Sequence, residues 1–162
     1  MNDQNMPTSS IGNYHRLITK SVKGTNGAPV VSPDHVSEMS LYYVETILAE
    51  VVNNEGAYLV RKLPDLAYAL DSITSYGFIA AAALGASEEE LTAVLKEKDN
   101  SLLRTSTLQG LSDYVDNALM NRVTSAEAWL SLLSRVTMLN HVLGFHRTKT
   151  LERVGVKAKR LF

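Results

Sequence analysis

Acidic side chains are the residues of this sequence best suited to carry chemistry. Glu38, Glu45 and Glu50 fall on one segment with helical periodicity, and Asp65 and Asp71 fall on the next. Hard divalent cations such as Mg²⁺ prefer oxygen ligands, which an all-helical protein supplies from acids on facing helices. At 100° per residue, Glu45 and Glu50 are about 140° apart, and Asp65 and Asp71 are about 120° apart. A shared site therefore requires carboxylates from both segments.

The sequence lacks the side chains and motifs that several other kinds of catalytic or metal site require. The chain has no cysteine, which excludes disulfides, thiol nucleophiles, cysteine zinc sites and iron–sulfur clusters and favours an intracellular compartment. The spacing of His15, His35, His141 and His146 places no two of them on one helix face as metal ligands. No glycine-rich phosphate loop and no G-x-S-x-G nucleophile elbow occurs. Any catalysis would use oxygen or nitrogen side chains.

The composition is that of a soluble globular protein. Of 162 residues, 45% are hydrophobic and 20% are charged, and the formal net charge is -1. The longest apolar run, Phe78 to Leu84, is far shorter than the roughly 20 residues that span a bilayer, so we expect no membrane segment. The near-neutral charge argues against binding nucleic acid with the whole surface, although a local patch stays open.

The N-terminal third is expected to contain one long helix. Residues 1–31 are rich in Pro, Gly and Ser, and we predict a loose, flexible arm with a short helix around Tyr14. Ser32, Pro33 and Asp34 indicate a helix start, and the helix should run to about Asn53. Its apolar stripe is predicted at Val36, Tyr43, Val44, Ile47 and Val51. Glu50 lies about 60° from Ile47, at the edge of this stripe, where a carboxylate is partly desolvated.

A second long helix is predicted from Pro64 to Leu84. It is apolar on both faces, so we expect it to be the most buried element. Gly77 and the alanines at positions 80–83 allow close approach of a neighbouring helix, which favours a core helix or a dimer seam. Gly85 should stop the helix. Ser87 then opens a capping box and a short helix to about Lys98.

Two further helices are predicted, one at 107–122 and one from a capping box at 124–127 to Gly144. No segment alternates with period 2. We therefore predict an all-α bundle of about four to six helices that assembles as a homo-oligomer. The expected divisions are the arm (1–31), a helical core (32–105), a C-terminal helical pair (106–145) and a basic tail (146–162).

Several motifs follow one another in a fixed order between Tyr14 and Ser101. They are an aromatic–histidine pair (Tyr14-His15), a proline loop (27–33), an acidic segment (45–50), Asp71 followed by Gly77, a Leu84-Gly85 turn, a short amphipathic helix, and Asn100-Ser101. This order resembles the all-α nucleotide pyrophosphohydrolases of the MazG and phosphoribosyl-ATP pyrophosphohydrolase-like group, particularly the short phage-type members.

The resemblance implies an activity and a set of site residues. The implied reaction is α–β phosphoanhydride cleavage of a nucleoside triphosphate, with Mg²⁺ held by clustered carboxylates that help to activate water. The implied metal ligands are Glu45, Glu50 and Asp71, of which Glu50 and Asp71 are catalytic. Asn100 and Arg104 would contact phosphate or base. The implied location is the cytoplasm, which is the host cytoplasm if the chain is phage-encoded.

The acidic motif departs from the family pattern. Thr46 replaces one carboxylate of an adjacent Glu pair, and one extra residue precedes Glu50. The Glu expected three residues before the Asp is Tyr68 when counted from Asp71, or Lys62 when counted from Asp65. An alternative therefore stays open: a non-enzymatic helical protein for oligomerisation or interaction, or a degenerate family member that sequesters a nucleotide without cleaving it.

The C-terminal tail is strongly basic, with six cations against the single acid Glu152. Its charges alternate with single apolar residues, so it cannot bury a continuous stripe. We predict a docking appendage for nucleic acid or an acidic partner. The partner-binding residues would be Arg147, Lys149, Arg153, Lys157, Lys159 and Arg160.

Overall fold

The structure is a computed structural model that describes residues 8–23, 32–53, 63–96, 108–120 and 125–143. These ranges contain six α-helices and no strand, which confirms the all-α prediction for this part of the chain. The helices are α1 (Thr8–Lys23), α2 (Pro33–Asn53), α3 (Leu63–Ala83), α4 (Glu88–Leu95), α5 (Leu108–Met120) and α6 (Ala126–Leu143).

Helix α3 lies at the centre of the bundle, where it contacts α1, α2, α4 and α6. Every residue from Ala69 to Ala83 is buried, so the prediction of a helix packed on both faces is confirmed. A Cβ atom added at Gly77 would lie 2.8 Å from Leu133 Cδ2 of α6. The sequence predicted that Gly77 allows close helix packing either within the core or at a dimer seam. The structure shows close packing within the core.

Helix α1 is more firmly docked than its sequence indicates. We expected a loose arm with a short helix, but residues 8–23 form a 16-residue helix in which Ile11 and Ile18 are fully buried. His15 Nε2 lies 2.8 Å from the carbonyl oxygen of Ala86, which ties α1 to the segment between α3 and α4. This corrects the loose-arm expectation for residues 8–23, because burial of the apolar side of α1 outweighs its glycine and serine content.

The end of α3 follows the predicted glycine stop. Gly85 has a φ of 106°, a conformation that residues with a Cβ rarely adopt. The Gly85 amide donates to the Ala82 carbonyl at 3.1 Å, and the Ala86 amide donates to the Ala81 carbonyl at 2.9 Å. This pair of bonds is a Schellman motif, which satisfies the last carbonyls of the helix.

Side-chain caps start two of the later helices. The predicted capping box of α4 is present: Ser87 Oγ accepts from the Glu90 amide at 3.1 Å, and Glu90 Oε1 accepts from the Ser87 amide at 3.0 Å. The helix ends at Leu95, earlier than predicted. At α6 the predicted capping box is wrong, because Ser125 is the cap and its Oγ accepts from the Ala128 amide at 3.1 Å. Ala128 has no side-chain acceptor, so it cannot accept a hydrogen bond from the Ser125 amide and complete a capping box.

Helices α2 and α3 run antiparallel. The rings of Tyr43 and Tyr76 stack between them, with centroids 5.0 Å apart. Trp129 of α6 touches both helices, since its Nε1 donates to Ser37 Oγ at 2.7 Å and its ring lies 3.7 Å from a Cβ built at Gly77. Counted around each helix axis in the same rotational direction, Ser37 lies about 120° from Tyr43 and Gly77 lies about 100° from Tyr76. Because Trp129 reaches both Ser37 and Gly77, these two positions lie on the same side of the helix pair. Offsets of the same rotational direction lie on the same side only when the two helices are antiparallel.

All six helices contribute to one hydrophobic core. Leu111 and Val115 of α5 and Leu133 of α6 belong to the same cluster as the apolar side chains of α1 to α4. The helices on either side of the expected division at residues 105 and 106 therefore share their core. Within the described ranges, no helix combines the length and the apolar character that crossing a membrane requires.

Candidate functional site

The two candidate acids of α2 lie on opposite margins of its buried face. Val44 is central to this face, Glu45 is half-buried and Glu50 is exposed. Glu50 projects about 20° from Tyr43, on the side that meets α3, whereas Glu45 projects about 160° from Tyr43. The expectation of partial desolvation at Glu50 is wrong for this structure, and Glu45 is the more covered of the two. Only Glu50 lies on the side of α2 that meets α3.

Asp71 of α3 is a nearly buried carboxylate, with 7% of its surface exposed. The stacked tyrosines set its height relative to Glu50, because Glu50 follows Tyr43 by seven residues and Asp71 precedes Tyr76 by five. At 1.5 Å per residue in antiparallel helices, the two positions differ by about 3 Å along the helix axes. By this ideal-helix geometry, Glu50 and Asp71 lie at similar levels of the α2–α3 pair.

Glu50 and Asp71 lie at similar heights along the helix pair, but their side chains do not point directly at each other. Asp71 projects about 140° around α3 from Tyr76, and Tyr68 projects about 80° in the same sense. Both point to the side of the helix pair away from α6, as does Glu50. We call the side that carries Tyr42, Thr46, Glu50 and Tyr68 the outer face. Because Asp71 points largely away from α2, joint binding of one cation by Glu50 and Asp71 stays a prediction.

Ser72 is a polar group that sequence reasoning did not single out. It is buried, and its Oγ has no hydrogen-bond partner among the described residues. It projects about 40° from Tyr76, toward α2, and its level matches that of Ile47, one turn from Glu50. An unpartnered buried hydroxyl is unfavourable and calls for an explanation. Serine carries no periodic signal that would reveal such a position, because it is usually found on helix surfaces and at caps.

The metal assignment stays a prediction. The described part of the chain has no group of three or more His, Asp or Glu side chains placed to hold a metal ion. Glu50 and Asp71 each interact with other groups of the protein. The Asp65 side chain, Asn100, Arg104 and the basic tail lie outside the described residues.

Comparison with known proteins gives no relative. The chain matches no protein-family model, no curated protein and no solved structure. The similarity to MazG-like pyrophosphohydrolases therefore depends on the residues and their order, and it stays a hypothesis about function.

Proposed function

We propose that this protein is a MazG-like nucleotide-binding protein that takes a nucleoside triphosphate together with Mg²⁺ at the outer face. The observation that supports the proposal is the position of Asp71, a carboxylate with 7% exposure at the level of the exposed Glu50 on the neighbouring helix. If these acids only formed an ordinary solvated helix surface, we would not expect one of them to be nearly buried on the central helix.

The small number of acids determines how the metal would bind. Mg²⁺ holds its waters tightly and is commonly bound by one or two carboxylates together with the phosphates of its substrate. Two protein carboxylates are therefore enough when the triphosphate supplies the remaining oxygens. We therefore expect Mg²⁺ and nucleotide to bind as a pair, and Mg²⁺ alone to bind weakly.

Thermal unfolding tests this binding. A ligand that binds the folded state raises its stability, so Mg²⁺ plus nucleotide should raise Tm while Mg²⁺ alone leaves it nearly unchanged. Glu50→Gln should abolish the increase and hardly alter the Tm of the protein without ligands. Glu38→Gln is the matched control, because Glu38 is exposed on the same helix, about 120° away from Glu50. The binding proposal fails if the wild-type protein shows no joint effect, or if both variants lose it equally.

Hydrolysis is tested separately from binding. Incubation with a panel of NTPs and dNTPs plus Mg²⁺ should release pyrophosphate and the nucleoside monophosphate if the α–β bond is cleaved. In such a reaction Glu50 and Asp71 would hold the metal that neutralises the triphosphate and activates water. Binding without these products would identify a protein that sequesters nucleotides.

A second candidate function is suggested by the large hydrophobic side chains that are exposed to solvent in the described part of the chain, Leu17, Tyr42 and Tyr68. Exposed apolar side chains mark an interaction surface when they form a contiguous patch. The alternative is a non-enzymatic helical protein that self-associates or docks on a partner. Light scattering coupled to gel filtration would show whether the chain forms the expected oligomer, and Tyr68→Ser should then shift it toward the monomer.

A further inference from the structure

One ridge of α2 carries three side chains of complementary chemistry. Tyr42, Thr46 and Glu50 follow one another at intervals of four residues, so they lie in one row along the outer face. Tyr42 is 59% exposed, and Thr46 and Glu50 are exposed as well. The Thr46 hydroxyl donates to the Tyr42 carbonyl at 2.9 Å, which keeps this small side chain against its own helix. The ridge therefore has an aromatic group at one end, a carboxylate at the other and no bulky side chain between them.

The exposed ring of Tyr42 is supported by two further aromatic rings. Its centroid lies 5.8 Å from that of Tyr43 in an edge-to-face arrangement of 73°. Tyr43 in turn stacks on the buried Tyr76, with 12° between the ring planes. Aromatic pairs with these geometries attract one another beyond simple burial. These ring contacts favour one orientation of the Tyr42 side chain, which lowers the entropy cost of stacking another ring against it.

We propose that Tyr42 is the stacking platform for the base of the nucleotide whose Mg²⁺-bound phosphates lie at Glu50, an inference that rests on the proposed function. Eight residues of helix place Tyr42 about 12 Å from Glu50. This separation suits an extended nucleoside triphosphate with its base on Tyr42 and its terminal phosphates beside Glu50. Thr46 lies between them, where its small side chain leaves room for the sugar.

The arrangement selects a class of ligand. Stacking on an aromatic ring accepts every base, because each base presents a flat π-face. The site should therefore take nucleotides of several bases and should bind inorganic polyphosphate more weakly. Discrimination between bases would need hydrogen bonds to their edges, which the exposed Tyr42 ring does not supply.

Calorimetric titration of the full chain tests the platform. The probes are ATP, GTP, CTP, UTP and their deoxy forms, with inorganic tripolyphosphate as the ligand without a base, all in excess Mg²⁺. Tyr42→Leu should weaken nucleotide binding roughly tenfold, as expected for loss of one base–aromatic contact. Tyr42→Phe keeps the ring and should stay within about twofold of wild type by the same reasoning. Neither substitution should change the affinity for tripolyphosphate.

The possible outcomes separate this inference from the proposed function. If nucleotides and tripolyphosphate bind with equal affinity, or if Tyr42→Leu leaves nucleotide binding unchanged, the platform is wrong while the phosphate site at Glu50 stands. Equal weakening of nucleotide and tripolyphosphate by Tyr42→Leu would show a general structural effect and would also overturn the platform. Binding of neither ligand by the wild-type protein would overturn the proposed function itself.

Discussion

Gly77 shows how closely two helices of the core approach each other. A Cβ at this position would meet Leu133 Cδ2 at 2.8 Å, which is shorter than side chains tolerate. Gly77→Ala should therefore lower the free energy of unfolding by about 1–3 kcal/mol through overpacking. Urea unfolding measures the change. A second substitution, Leu133→Ala, should cost less in the Gly77→Ala background than in wild type, and purely additive effects would refute a steric origin.

The Ser87 hydroxyl has a separate energetic role at the start of α4. It accepts the Glu90 amide and is the first member of a complete capping box. Ser87→Ala should lower the free energy of unfolding by about 0.5–2 kcal/mol, because it leaves an amide of the first turn without its acceptor. Ser87→Asp should retain most of the stability, since aspartate also caps helices. Equal loss in both variants, measured by thermal unfolding, would contradict a capping role.

Residues whose environment is local were predicted well from the sequence, and those whose environment is tertiary were not. The glycine stop at Gly85 and the capping box at Ser87 depend on neighbours within six residues, so their chemistry is visible in the chain. The burial of Asp71 and Ser72 depends on which helices cover that part of α3. Helical periodicity gives relative angles on one helix, but it does not tell which side another helix will occupy.

At the scale of elements, α1 is part of the core. Ile18 is fully buried, while its neighbour Leu17 is 45% exposed. Ile18→Ala should cost about 2–5 kcal/mol of unfolding free energy, whereas Leu17→Ala should cost no more than about 0.5 kcal/mol. Denaturant unfolding of this adjacent pair compares two aliphatic truncations on the same helix. Similar small effects would restore the loose-arm interpretation.

The order of helices was largely predicted, and the packing between them was only partly so. Both-sided apolarity correctly identified α3 as the central helix. The docking of α1 was missed because its buried residues, Ile11, Ile18 and Val22, are few and lie among polar and small residues. The start of α6 was misplaced by one residue because both Thr124 and Ser125 can cap a helix, and local sequence does not choose between them.

At the scale of the whole molecule, the described helices share one hydrophobic core. We expect deletion of residues 147–162 to leave helicity and Tm nearly unchanged, because the alternating charges of the tail sequence cannot bury a continuous apolar stripe. Circular dichroism during heating checks this. A large fall in Tm would show that the tail packs on the bundle, and the docking role predicted for its six cations would then need revision.

Trp129 is an intrinsic fluorescence probe of the packing between helices in this protein. It is the single tryptophan of the chain, it is buried, and its hydrogen bond to Ser37 joins α6 to α2 across 92 positions of sequence. Its fluorescence should shift to longer wavelength when α2 and α6 separate and water reaches the indole. Undocking of α1 alone should leave the emission unchanged. The order in which the helices of the bundle come apart is therefore measurable in the unlabelled protein.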